Sequence, residues 1–332
     1  MRTRRLLNGL VAAVTLGGAG LAWAGDKVEL KYRLEVGKKY YLRMRADEKI
    51  TQEMLGQKQE MEQTLGFEHA LVPTAVDAAG ITAQITFERV VFRQKGATGS
   101  VDYDSKDAPT DVPPAARSMA ALAGFTLTVQ WRPNGEIVEV TGVQELLEAV
   151  LAQIPDDAAG AQLRERIKDQ LSADGMIETV SDVLVVLPDE PVAAGDTWSH
   201  RVTLSKELGL STETTYTLKE VRGRRAVVAV VAKVSSDPDK TLAMGPLKAR
   251  SNLKGEQRGS VEIDLDTGLP VKGDAQGAIN GELTMTGGPD APGGGELKVP
   301  MKIELRTRLS GGKSRAESDE SERDKAGKKS AG

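Results

Sequence analysis

The chain has 332 residues, with 44 lysines and arginines against 48 aspartates and glutamates. This mild acidity argues against nucleic acid as a main partner, because phosphate backbones are bound by a strongly basic face. The chain has no cysteine and only two histidines. These counts exclude disulfides and thiolate metal sites, and they leave little material for histidine-based catalysis.

The first 24 residues have the features of a secretory signal peptide. Three arginines within residues 1–5 precede an apolar stretch at 6–21, and Ala22-Trp23-Ala24 forms an A-x-A cleavage site. We therefore expect cleavage before Gly25 and a periplasmic or secreted protein, whose 41 basic and 48 acidic residues give a net charge of −7. The alternative is a retained membrane anchor, although the stretch is short for a span of about 20 apolar residues. No later segment of the sequence is apolar enough to predict a membrane span.

Residues 25–142 are predicted to form a first β half. Val28–Val36 alternates apolar and charged side chains, which is typical of a half-buried strand. The next strand begins at Tyr40, and the turn at 55–58 joins it to a second long polar strand. A further turn at 77–80 leads into an apolar strand. Sequential hairpins of this kind predict an antiparallel sheet.

Residues 143–187 are predicted to be a helical insert between two β halves. Val143–Ile154 carries apolar side chains at helical spacing, and further helices are expected at 156–171 and 177–185. Another short helix is expected earlier in the chain, at Pro114–Ala123. The apolar stripe of the insert would pack on one face of the sheet.

Residues 188–310 are predicted to form a second β half. Ala226–Val234 has no polar side, which favours a strand covered on both faces. Asp266-Thr267-Gly268 lies between two alternating segments and predicts a turn, and Val299–Leu309 is the last predicted strand. Residues 311–332 contain no apolar side chain larger than alanine, so we expect a disordered charged tail.

Together these elements predict an α+β, β-rich fold. We expect one curved antiparallel sheet built from two related halves, with the helical insert packed on one face. The internal repeat is inferred from the matched order of parts in the two halves. Val36-Gly37-Lys38-Lys39-Tyr40 resembles Ala194-Gly195-Asp196-Thr197-Trp198, and each is expected to open a strand. Each half then has a turn with glycine, at Pro133-Asn134-Gly135 and at Asp266-Thr267-Gly268.

Three groups of residues suggest chemistry, and a structural role explains each. Asp266-Thr267-Gly268 matches the aspartic protease triplet, but that reaction needs two carboxylates sharing a proton, and no second triplet occurs. Four aspartates within 102–111 lack the glycine and glutamate of an EF-hand loop. His69 and His200 are expected in solvent or at a core edge, and a Ser–His–Asp arrangement stays open. The sequence therefore assigns no catalytic, cofactor-binding or metal-ligating residue.

Several segments resemble an uncharacterised family of exported bacterial proteins, a domain of unknown function. They are the stretch from Gly37-Lys38-Lys39-Tyr40 through Asp102-Tyr103-Asp104-Ser105, the Pro113-Pro114 segment and Pro188–Trp198. The last has the pattern Pro-x-x-Pro-Val-x-x-Gly-Asp-x-Trp and is the most specific. The resemblance covers most of residues 27–310 and implies no activity or site residue. More loosely, the expected fold resembles periplasmic lipoprotein carriers of the LolA/LolB type, an analogy that carries no function.

Export and a sheet with one apolar face favour a non-enzymatic envelope or periplasmic binding module without a cofactor. Its partner would be a lipid, another apolar ligand or an envelope protein, held in a groove between sheet and helices. The alternatives are a structural or protein-interaction module of the envelope and a hydrolase that uses carboxylates. A fully packed sheet–helix interface would count against a carrier of apolar ligands, and the hydrolase would need two facing acids.

Overall fold

A computed structural model gives the fold of the protein. The residues that it describes are 27–54, 56–97, 99–152, 154, 164, 168, 184–205, 209–244, 247–287 and 296–314. Strand accounts for 65% of the model and helix for 9%. The predicted α+β, β-rich class is therefore confirmed.

The described residues form thirteen strands. They are β1 (Tyr40–Met54), β2 (Gln57–Val76), β3 (Ile81–Gly96), β4 (Gly99–Asp104), β5 (Thr126–Trp131), β6 (Ile137–Thr141), β7 (Thr197–Ser205), β8 (Leu210–Arg222), β9 (Arg225–Ser236), β10 (Leu242–Met244), β11 (Leu247–Asp264), β12 (Pro270–Gly287) and β13 (Glu296–Gly312). The described α-helices are α1 (Arg117–Ala120) and α2 (Val143–Leu151), and short 3₁₀ turns lie at Ser105–Asp107 and Pro114–Ala116.

The thirteen described strands belong to one antiparallel sheet that is not closed. The order across it is β6-β5-β3-β2-β1-β13-β12-β11-β9-β8-β7, with β4 added beside β3 and β10 beside β11. Strands from residues 40–141 therefore form one side, and strands from 197–312 form the other. The two sides meet where the first strand pairs with the last, from Tyr41 opposite Gly312 to Gln52 opposite Met301.

Successive side chains of a strand point to opposite faces, which gives this sheet an apolar face and a polar face. In β1, Tyr40 and Leu42 lie on the apolar face, and Arg43 and Arg45 lie on the polar face. The register carries the same division into the neighbouring strands. The polar face holds the charged rows of β1, β13 and β12, which are the parts that position the candidate site.

The main core lies on the apolar face near the start of β1. Trp131, Tyr40 and Leu42 have no exposed surface there, and α2 adds Leu146 and Val150. The helix packs through one stripe because its apolar residues recur at helical spacing. This part of the predicted insert therefore covers the sheet as expected, and its interface with the sheet is closely packed.

The segment 28–36 is not the predicted strand. Within it, only Val28 makes an isolated bridge, with Val192. The backbone N–H of Tyr32 donates to the Pro133 carbonyl at 3.1 Å, and that of Arg33 donates to the Thr267 carbonyl at 2.9 Å. The segment thus runs across two turns of the sheet rather than alongside a strand. The apolar alternation still predicts its burial correctly, at Leu30, Tyr32 and Leu34.

The predicted turns are confirmed, because Gly56, Gly135 and Gly268 have φ of +76°, +91° and +74°. That left-handed conformation favours glycine. Two expectations need correction. Residues 311 and 312 continue β13 rather than begin a tail. Ala226–Val234 is not covered on both faces: Ala226 and Val228 on the apolar face are buried, whereas Val227 and Val231 on the polar face stay half-buried.

Four glycines of β11 and β12 lie on the apolar face where the two strands pair: Gly255, Gly259, Gly277 and Gly281. A Cβ at Gly259 would lie 2.1 Å from the Asp274 carbonyl oxygen, and one at Gly277 would lie 2.0 Å from that of Glu256. Such contacts are far inside van der Waals separation. The close approach of these two strands therefore requires residues without a side chain.

Some expectations fall outside the described residues. They concern the signal at 1–24, most of the helices at 156–171 and 177–185, and the tail from 315 onward. Within the described part of the chain, no helix is long and apolar enough to cross a membrane. The division into domains and the internal repeat stay predictions.

Candidate functional site

The polar face contains a concave cavity of about 470 Å³. Five adjacent strands line it, in the order β3, β2, β1, β13 and β12. Seven of the lining side chains are cations: Arg43, Arg45, Arg89, Arg93, Lys272, Arg306 and Arg308. Glu68 is the one carboxylate among the described lining residues. A chain of net charge −4 thus gathers cations in one hollow.

Strand alternation and register bring these cations together. In β1 the cations alternate with the apolar residues Leu42, Met44 and Ala46. In β13, Arg306 and Arg308 alternate with Leu305, Thr307 and Leu309. Pairing places Arg45 directly opposite Arg308, and Arg43 directly opposite Ser310. Gly66 lies opposite Arg45 on the other side, and its lack of a side chain leaves room for the hollow.

Asp47 joins the two facing arginines. Its carboxylate accepts hydrogen bonds from Arg45 (Nη2, 2.8 Å), from Arg308 (Nη2, 2.8 Å) and from the Thr64 hydroxyl (2.8 Å). Like charges directly opposite each other in a sheet are destabilising, and a shared carboxylate offsets that cost. Burial acts to raise the pKa of Asp47, but these hydrogen bonds and charges outweigh it, so the pKa lies below its usual value.

A second ion-pair network lies on the β2 and β3 side of the cavity. Arg89 donates to Asp104 at 2.9 Å and to Glu68 at 3.0 Å, and Arg43 reaches Glu68 at 3.5 Å. The hydrogen bonds from Arg89 hold the pKa of Asp104 below its usual range, despite partial burial. Asp104 and Glu68 therefore position the guanidinium of Arg89 at the cavity edge.

The described lining of the cavity has a surplus of positive charge. Arg306 donates to Asp274 at 2.8 Å, and Arg93 donates to Asp102 at 2.9 Å. Seven cations line the cavity, and the carboxylates paired with them include Asp47, Glu68, Asp102, Asp104 and Asp274. Among the described side chains that line the cavity itself, cations outnumber carboxylates by seven to one. This arrangement can bind an anion through charge-assisted hydrogen bonds.

The aspartic protease triplet is a hairpin turn between β11 and β12. The Asp264 carboxylate accepts from the backbone N–H groups of Asp266 and Thr267, at 3.0 and 2.9 Å. Asp266 pairs with Arg224, and a Cβ at Gly268 would lie 2.3 Å from a neighbouring carbonyl oxygen. These contacts account for the triplet as turn chemistry.

The aspartates within 102–111 do not form a calcium loop. Asp102 and Asp104 project from β4 toward arginines of β3, whereas Asp107 and Asp111 are exposed. Across the residues that the structure describes, no three His, Cys, Asp or Glu side chains meet as a metal site. An interpretation as surface acidity therefore fits Asp102, Asp107 and Asp111, whereas the Asp104 side chain is only 13% exposed and pairs with Arg89.

The two histidines lie in different environments. His69 is buried on the apolar face between Phe67 and Phe87, not at a core edge as expected. Burial lowers the pKa of His69 to about 4, and its Nδ1 has no hydrogen-bond partner. Among the described residues, no carboxylate is hydrogen-bonded to Nδ1 of this ring. His200 is half-buried in β7 opposite Thr214.

The sequence did not single out the cationic cavity. The alternation of Arg43 and Arg45 with apolar residues showed that β1 has a charged face. The cavity, however, depends on pairing across 261 residues, which joins Asp47 to Arg308. No local pattern predicts that β1 and β13 are neighbours. The arginines at alternate positions of each strand were nevertheless a signal that each strand has a cationic face.

The fold and site define an open antiparallel sheet of the α+β class with a cationic hollow on its polar face. The chain belongs to a family of unknown function, DUF6263, whose model matches residues 79–270. This confirms the resemblance to an uncharacterised family. The looser analogy with lipoprotein carriers stays a prediction. No curated protein matches the chain.

Solved structures show only weak likeness to this protein. An outer membrane channel from Pseudomonas putida F1 is 8% identical, with 85% of this chain and 97% of the channel covered and a TM-score of 0.25. DynF, from the dynemicin biosynthesis pathway of Micromonospora chersina, is 9% identical, with 90% of this chain and 92% of DynF covered and a TM-score of 0.19. OprG, an outer membrane protein of Pseudomonas aeruginosa, is 7% identical, with 83% of this chain and 97% of OprG covered and a TM-score of 0.18. Scores of this size carry no argument about fold or function.

Proposed function

We propose that this protein is an exported, non-enzymatic binding module whose ligand is an anion. The observation that supports a binding role is the cavity of about 470 Å³ on the polar face, which has the size of small-molecule sites. Its arginines are charged at every physiological pH and present planar donor groups, which suits recognition of carboxylate or phosphate. Guanidinium groups bind charge and do not act as general bases at neutral pH.

The proposed ligand site lies on the polar face of the sheet, whereas the sequence predicted a groove between the sheet and the helices. The described part of that interface is packed, since Leu146 has no exposed surface and Val150 only 1%. The carboxylate hydrolase is also poorly supported by the cavity, where Glu68 is held by two arginines and faces no second lining carboxylate among the described residues. A ligand bound by the cations of the polar face fits the described geometry better than either.

A second candidate keeps the expected apolar ligand or envelope component. Beyond the core, the apolar face continues through side chains that stay half-buried, among them Ile50, Ile279 and Ile303, which are paired across β1, β13 and β12. These residues give an apolar strip that a lipid chain or a partner protein could cover. The same experiment separates this candidate from the anion site.

The test begins with the full-length chain, exported by a bacterial host and purified gently. Native mass spectrometry would show a bound molecule, and organic extraction would assign it as lipid or polar anion. A double variant, Arg43→Gln with Arg306→Gln, should lose a bound anion, whereas the control Arg250→Gln on the same face should keep it. Arg250 lies outside the cavity lining and is half exposed. A lipid kept by all variants would support the second candidate instead.

An apo mass for the native protein, together with no thermal stabilisation by any anion in a panel, would overturn the binding proposal. Export has a separate readout. The mass of the purified protein should correspond to a chain that starts at Gly25, and an intact residue 1 would contradict cleavage of the signal.

A further inference from the structure

Three hydrogen-bond donors without partners meet in one corner of the cavity. The Nε atom of Arg308 is buried and makes no hydrogen bond. Within the described residues, the Lys272 ammonium has no ion pair and the Ser310 hydroxyl makes no hydrogen bond. Ser310 is only 5% exposed as a residue, and it lines the hollow together with Lys272 and Arg308. A buried donor without a partner, such as Arg308 Nε, is costly, and a ligand with acceptor atoms would satisfy it.

The register explains why these donors are neighbours. Lys272 lies directly opposite Ser310, and Arg43 lies opposite Ser310 on its other side. Directly opposite residues have Cβ atoms about 4.5–5.5 Å apart, so both long side chains can reach the space above Ser310. Arg308 precedes Ser310 by two residues and points to the same face. The four residues therefore surround one point on the sheet surface.

We propose that this corner binds a phosphate group, either free or carried by a larger molecule; the inference rests on the proposed anion-binding function and names its ligand class. A tetrahedral oxyanion has acceptor oxygens that point in several directions, which matches donors arriving from three adjacent strands. A phosphate monoester carries a charge of about −1.5 to −2 at pH 7. That charge suits a hollow whose described lining holds seven cations and one carboxylate, and it exceeds the single charge of a carboxylate ligand.

The cavity is larger than the corner, and this agrees with a phosphate that has an organic substituent. Sites of about 300–1,000 Å³ hold small organic ligands. The hollow extends from Ser310 past Gly66 to Arg93, so a substituent would lie along the arginines of β1 and β3. The phosphate itself would be fixed by Ser310, Lys272 and Arg308.

The experiment is isothermal titration calorimetry of the full-length protein at low salt. The ligands are inorganic phosphate, glycerol 3-phosphate, sulfate and succinate, and a parallel arm uses vesicles of phosphatidic acid against vesicles of phosphatidylcholine. The variants are Lys272→Gln and Ser310→Ala. Their controls are Lys302→Gln on β13 and Ser260→Ala on β11, both on the polar face outside the cavity lining. Circular dichroism and melting temperature without ligand check that each variant is folded.

We expect saturable binding of phosphate or glycerol 3-phosphate, weakened about tenfold or more by Lys272→Gln and less by Ser310→Ala. Affinity should also fall as the pH drops from 8 to 5, because the phosphate loses its second charge near pH 6. Binding of vesicles with phosphatidic acid alone would assign the phosphate to a lipid head group. Equal effects of the cavity variants and their controls would overturn the inference.

The outcomes separate this inference from the proposed function. Binding of succinate without phosphate, lost in Arg43→Gln with Arg306→Gln, would reject the phosphate corner and keep the anion-binding module. Absence of binding for every anion and vesicle would reject both. Phosphate binding that survives Lys272→Gln and Ser310→Ala unchanged would place the anion elsewhere in the cavity and reject the corner.

Discussion

His69 provides a direct test of the packing on the apolar face. Its ring is 2% exposed, stacks on Phe67 at 5.9 Å and meets Phe87 edge-on at 4.8 Å between ring centroids. Burial lowers the pKa of His69 to about 4, from an ordinary value of 6.5. The neutral ring is therefore the native form, and the imidazolium is disfavoured because nothing in the described core stabilises its charge.

The size of the effect follows from linkage. The folded pKa lies below the unfolded one, so between pH 6.5 and pH 4 the unfolded chain binds more protons and stability rises with pH. With these two pKa values, His69 alone should remove about 2 kcal/mol of the free energy of unfolding between pH 7 and pH 5. Carboxylates also contribute to the pH dependence, among them Glu48, whose pKa is raised by burial, so the histidine contribution is taken from a comparison with a variant that lacks it.

The assay is urea unfolding at pH 7 and pH 5, followed by circular dichroism. The variant His69→Leu should lose this pH dependence, and the control His200→Gln, altered in edge strand β7, should retain it. The comparison uses the difference between two pH values, so a change in absolute stability of the leucine variant does not affect the result. An equal pH dependence in the wild-type protein and His69→Leu would refute a buried neutral ring.

Three further predictions concern stability, each measured by urea unfolding at pH 7. Gly277→Ala should prevent folding or destabilise the protein severely, because the new Cβ would lie 2.0 Å from a carbonyl oxygen of β11; Gly66→Ala, whose Cβ meets a side chain at 3.3 Å, should cost far less. Tyr32→Phe should cost about 1–3 kcal/mol, because its buried hydroxyl both donates to and accepts from the Val185 backbone, at 2.9 Å each. Asp47→Asn should cost about 1–3 kcal/mol, because two facing arginines lose their shared carboxylate.

Each of these predictions can fail in a definite way. Equal stability of the two alanine variants would show that β11 and β12 separate easily. If Tyr32→Phe leaves the free energy of unfolding unchanged, water satisfies the Val185 backbone groups. If Asp47→Asn has no cost at low salt, solvent screens the facing arginines without help from the carboxylate.

Local sequence patterns predicted the strands and turns well. Hairpin turns at Gly56, Gly135 and Gly268 follow from glycine between alternating segments, and the stripe of α2 follows from helical spacing. The segment 28–36 shows the limit of such patterns. Alternation predicts which side chains are buried. It does not predict the backbone partners, which for this segment are Pro133 and Thr267 in two distant turns, and these partners make it something other than a strand.

The candidate site could be predicted only in part. Charged residues at alternate positions of β1 and β13 indicate solvent-facing rows, and this much was visible in the sequence. That Ser310 would lie between Arg43 and Lys272 depends on the order of strands in the sheet. The hollow also depends on Gly66, whose missing side chain gives no signal until its neighbours are known.

The pairing of the first strand with the last has a consequence for how the chain reaches its native state. β1 and β13 contact each other across some 260 residues, so their pairing waits until nearly all of the chain is available. Contacts of such separation slow folding, and unpaired strands attract other chains meanwhile. A ribosome-bound chain that lacks 296–312 would expose two long edges, β1 and β12, in the middle of the future sheet. Until β13 pairs with them, these two edges could pair with other chains and lead to aggregation.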